Sequence, residues 1–153
     1  MKLRLFFVPL FAFALGAAPV SGDENKKILD AFQGEWAVTK ILDHGAMVPD
    51  TKDFTITFVK DRMVNNFNES KPRGVKIDTA KTPMEIDLFE GDVLMGRGIF
   101  ELDGDNLKMC LGGAKTEGTF NKQGLQRKIT VDDRPSKFDS ALATLIELKR
   151  AKK

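Results

Sequence analysis

Few side chains in this sequence are equipped for covalent or metal chemistry. It holds one histidine, His44, and one cysteine, Cys110. Nucleophilic catalysis needs a base beside the serine or thiol it activates. His44 lies in a His44-Gly45 turn and Cys110 in an apolar strand, where a small buried filler is the simpler reading, so no catalytic residue is assigned. One His and one Cys also fall short of a zinc set. Asp103-Gly104-Asp105-Asn106 offers oxygen ligands but lacks the spacing and terminal glutamate of a calcium loop, and reads as a hairpin turn. Glu85 and Asp87 read as a solvated strand face. Asn68-Glu69-Ser70 matches the N-glycosylation pattern and otherwise reads as a polar loop. Arg97, Arg127, Arg134 and Lys137 read as surface charges, the alternative being a basic rim for an anionic ligand. The expectation is a protein that is not an enzyme and carries no cofactor and no metal.

The elements that would position these groups begin with an export signal. Lys2 and Arg4 precede an apolar run of roughly 14 residues, and Pro19, Ser21, Gly22, Asp23 and Glu24 end it before it reaches the ~20 residues of a membrane span. Residues 1–22 are therefore expected to be a signal peptide cut after Gly22. Residues 23–153 would then form one domain that is periplasmic or extracellular, with no integral membrane anchor. The chain has 24 basic and 22 acidic residues; losing Lys2 and Arg4 leaves 24 − 2 = 22 basic against 22 acidic. A neutral domain has no electrostatic case for binding nucleic acid. A lone cysteine cannot build an internal disulfide framework, so packing must hold the fold.

Residues 23–33 read as a short helix with Ile28, Leu29 and Phe32 on one face. Strands are expected at 35–42, 54–60, 62–68, 74–78, 84–89, 98–102, 106–111 and 144–150, separated by turn signals such as Lys60-Asp61, Glu90-Gly91-Asp92 and Gly104-Asp105. Alternation puts Phe54, Ile56 and Phe58 on one face, and likewise Met84, Ile86 and Leu88, and Leu107, Met109 and Leu111. An all-β antiparallel sandwich or barrel follows. The stretch from Gly112 to Ser140 is the least legible, with one more hairpin suggested by the alternation at 127–131.

Phe32-Gln33-Gly34-Glu35-Trp36 resembles the Gly-x-Trp opening of lipocalin-like barrels. The run from Gly98 to Leu111, Arg134-Pro135-Ser136-Lys137-Phe138 and Leu148-Lys149-Arg150 resemble landmarks of the uncharacterised lipocalin-like domain abundant in planctomycete bacteria. The resemblance spans nearly all of residues 23–153 and departs between Leu111 and Arg134, where that family has a shorter connection. It implies an antiparallel β-barrel of about eight strands with a short N-terminal helix. It also implies that Gly34, Trp36 and Arg150 form a structural signature, the arginine stacking on the indole. Alternation supports this independently, because Arg150 shares a face with Ile146 and Leu148 and needs a partner there.

Such a fold implies binding of a small apolar or amphipathic molecule inside the barrel, on Phe54, Ile56, Phe58, Met84 and Ile86. The alternative is a ligand-free structural or protein-interaction module of the cell envelope. A cavity of roughly 300 Å³ or more lined by those residues separates the two. A monomer is expected.

Overall fold

The computed structural model describes residues 22–66, 72–121 and 124–152. The expected signal peptide falls almost wholly on residues 1–21, and the Asn68 sequon on 67–71, both outside the described residues. Among the described residues, no helix is long and apolar enough to cross a membrane.

Helix α1 (Gly22–Phe32) carries Asp23 and Glu24 in its first turn, where carboxylates complement the helix dipole. Its apolar face ends in Phe32, which is fully buried against Phe58 and Phe100, with ring centroids 5.0 and 5.1 Å away. Gly34 then turns the chain from helix into strand at φ +104°, a conformation that a side chain resists.

The strands are β1 (Gly34–Asp43), β2 (Ala46–Met47), β3 (Thr55–Val59), β4 (Arg62–Asn65), β5 (Arg73–Asp78), β6 (Met84–Glu90), β7 (Val93–Asp103), β8 (Asn106–Gly112), β9 (Ala114–Asn121), β10 (Gly124–Val131) and β11 (Thr144–Arg150). Eight of them, β1, β3 to β8 and β11, form a closed antiparallel barrel, with β1 pairing β11 to complete the circle. β2 adds only to the end of β1, and β9 with β10 makes a separate two-stranded ribbon. That ribbon is the extra hairpin in the least legible stretch. Strand β7 starts at Val93 rather than Gly98, because the glycines that interrupt the hydrophobic pattern sit inside a continuous strand beside a bulge at Leu88/Phe89.

Period-2 alternation fills the barrel. Val38, Ile56, Phe58, Met63, Val75, Ile86, Leu88, Phe100, Leu107, Met109, Ile146 and Leu148 join Phe32 and Trp36 in one buried cluster. Ile41 joins too, although it lies three residues after Val38, because a register shift between Val38 and Lys40 turns the strand by one residue.

The two ends of the barrel sequence meet at Trp36 and Arg150, which face each other across β1 and β11. The Arg150 guanidinium lies 4.2 Å from the centre of the buried indole. Its Nη1 and Nη2 donate to the carbonyls of Gln33 (2.9 Å) and Ala31 (2.7 Å), and its Nε to Asp105 Oδ1 (3.0 Å). Trp36 Nε1 donates to the Phe32 carbonyl at 2.7 Å. One arginine thus joins the last strand to the first and satisfies carbonyls at the C-terminal end of α1, where a cation is favoured.

Arg150→Ala should lower the free energy of unfolding by about 2 to 3 kcal/mol, the sum of a stacked cation and lost hydrogen bonds. Asp105→Ala, which removes only an exposed partner, should cost under about 1 kcal/mol. Urea denaturation of the two variants checks the ranking.

Candidate functional site

The barrel is plugged at one end and open at the other. At the plugged end, Phe32, Trp36, Phe58 and Phe100 are all at most 1 % exposed. Toward the other end the filling stops, because Gly96, opposite the inward-facing Leu88, contributes no side chain to the wall of β7. A cup of about 290 Å³ remains there, with Ile56, Met63, Leu88, Met109 and Ile146 as its apolar floor and wall. Asn65, Arg73 and Thr144 supply its polar groups.

Of the five residues expected to bind a ligand, Ile56 lines this cup. Phe58 and Ile86, 1 % and 0 % exposed, form the packed base beneath it. Phe54 and Met84 are half-buried against the core cluster and do not line the cup. Alternation had already placed Leu88, Met109 and Leu111 on inward faces. It carries no information about which end of the barrel stays open, so Met63, Met95, Arg73 and Thr144 escaped it.

At the rim, the Thr144 hydroxyl donates to Asp43 Oδ1 at 2.7 Å, and His44 Nδ1 lies 3.1 Å from the same oxygen. The Thr144 hydrogen bond, with His44 adding to it against some desolvation, holds the Asp43 carboxyl below its usual range. His44 is therefore engaged with Asp43, whereas Cys110 Sγ donates to the Asp139 carbonyl at 3.7 Å.

A second feature lies outside the wall. Residues 132–143 form a strap over the outer faces of β7, β8 and β11, covering Ile99, Cys110 and Leu145 with Ala143 and Phe138. Arg134 fastens it. Its Nη1 donates to the carbonyls of Gly98 (2.7 Å) and Ile86 (3.2 Å), and its Nη2 to Asp87 Oδ1 (2.7 Å). Its Nε lies 3.3 Å from Glu85 Oε2. Glu85 and Asp87, expected to face solvent, instead receive this arginine, because the strap that brings it is a long-range element that strand periodicity cannot reveal. Arg134 is accordingly no member of a free basic rim. The neighbouring strand β8 explains why Gly98 tolerates no side chain: a Cβ there would stand 2.5 Å from the Cys110 carbonyl oxygen and from Leu111 Cδ2.

Among the described residues, no group of three or more His, Cys, Asp and Glu side chains is arranged to hold a metal ion. What the arrangement offers is an apolar recess with a polar rim, which is binding chemistry. Compared with protein-family models, curated proteins and solved structures, the chain matches none.

Two expectations follow from the strap. Arg134→Ala removes charge-assisted hydrogen bonds worth about 1.5 to 3 kcal/mol each, and each 1.4 kcal/mol lost from local closure raises opening about tenfold. Labelling of Cys110 by a disulfide reagent should therefore speed up at least tenfold, whereas Arg97→Gln leaves it slow. Burial raises the Cys110 thiol above its ordinary value, with a backbone hydrogen bond at Asp139 opposing it more weakly. The folded state then holds its proton when the unfolded chain has lost it, so stability is full below the ordinary thiol value and falls as pH rises past it. Cys110→Ala should remove that alkaline loss, as read from melting temperatures between about pH 7 and 10.

Proposed function

We propose that this is a lipocalin-like binding protein, exported after removal of residues 1–22, that holds one small apolar or amphipathic molecule in the open half of its barrel. The observation that carries the reading is the cup of about 290 Å³. Ligand sites are concave and mostly apolar, with few polar groups, and the mouths of β-barrels are among their usual places. An eight-stranded barrel either fills itself with side chains or keeps room for one ligand. Here the lower half does the first and the upper half leaves the room. At about 30 Å³ for each water-sized group, the cup takes a molecule of roughly ten non-hydrogen atoms.

The packed base favours a second reading, a ligand-free module that uses its rim and ribbon to contact another protein. Calorimetric titration with octan-1-ol separates the two. Saturable one-to-one binding is expected, and Leu111→Trp, which pushes an indole into the cup, should weaken it at least tenfold. Failure of octan-1-ol, octanoate and octylammonium alike to bind saturably to the wild-type protein would overturn the binding reading and leave the interaction module.

A further inference from the structure

The cup has one charged residue in its lining, Arg73, and among the described residues it has no partner. Arg73 opens β5, two positions before Val75, which is 3 % exposed in the barrel core, so the two side chains share the inward face. It faces Met63 across the β4–β5 pair, at the level where the apolar floor gives way to the rim. Among the described residues, its guanidinium makes no hydrogen bond or ion pair, in contrast to Arg134 and Arg150.

The guanidinium nitrogens are open to solvent at the mouth, and their planar fork matches a carboxylate or another oxyanion in two parallel hydrogen bonds. The opposite wall offers an anion nothing comparable. β11 lies four strands from β5 around the eight-stranded ring, and there the Thr144 hydroxyl already donates to the Asp43 carboxylate. The mouth is therefore polarised, with a cation on the β5 side and an anion on the β1–β11 side. A molecule with an anionic head and a short apolar tail fits both features, its tail on Met63, Leu88 and Met109 and its head on Arg73.

We propose that the cup is a site for small anionic amphiphiles, of the kind represented by a medium-chain carboxylate, and that Arg73 is the residue that selects the charge of the head. This rests on the cup being a ligand site, and adds the class of ligand.

Calorimetric titration of the protein with octanoate, octan-1-ol and octylammonium, three molecules alike in tail and different in head, tests it. Octanoate should bind at least tenfold more tightly than octan-1-ol, and octylammonium more weakly than either, since charge-assisted bonds to a fixed guanidinium separate the heads by about that factor. In Arg73→Gln, octanoate should fall to the affinity of octan-1-ol while octan-1-ol stays within about twofold, which shows that the cup is intact. Arg97→Gln, on the exposed outer face, should leave all three unchanged. Equal binding of octanoate and octan-1-ol to the wild-type protein, or an octanoate preference that survives Arg73→Gln, overturns the selection by Arg73 and leaves the cup standing. If none of the three binds, the cup is not a ligand site and both readings fall.

Discussion

The Arg150 guanidinium lies between the Trp36 indole and the last carbonyls of helix α1, and the barrel closes around that contact. A sheet becomes a barrel only when its first and last strands meet, and the meeting must be specified against a slip in register, which would turn every inward side chain outward. Here the pair that faces across the seam is also the pair that stacks. The same arginine fixes the helix that plugs the end, so closure, register and plug rest on one side chain. Phe32, carried in by that helix, then seats between Phe58 and Phe100 and completes the base.

Once the base is tight, the upper half is free to be loose. Gly96 on β7 leaves the wall bare where the plugged end has aromatic rings, and the rim carries Arg73 on one side and Asp43 with Thr144 on the other. The two ends of one barrel thus differ, tightly packed below and open above. The strap adds to the packing, since it seals a second apolar cluster on the outside of the wall by seating Arg134 on two strand carbonyls and two carboxylates. An exposed Ile99, Cys110 and Leu145 would otherwise form an apolar patch on the barrel's outer surface.

The parts legible in advance were those governed by local rules. Strand alternation placed Ile56, Phe58, Ile86, Leu88, Leu107 and Met109 on inward faces, and turn residues separated most strands correctly. The Trp36–Arg150 pair was legible through the resemblance to lipocalin-like barrels, alternation adding only that an arginine on an apolar strand face needs a partner. Less legible were positions where a local signal and the tertiary environment disagree. Gly96 and Gly98 suggested a strand starting late, yet the strand continues through both, and at Gly98 the neighbouring strand approaches too closely for a side chain. Glu85 and Asp87 looked like a solvated face because nothing local announces that Arg134, nearly fifty residues away along the chain, will lie across them.

By itself, then, the order of residues determined the strands and their dry faces, since periodicity and turn chemistry act over a few residues at a time. The tertiary structure decided where the filling ends, because the room inside a barrel depends on which side chains from several strands reach the same level. It also decided that Arg134 is spent on the strap while Arg73, unpaired among the described residues, faces the cup. In the sequence the two are simply arginines, and only the packing around each tells them apart.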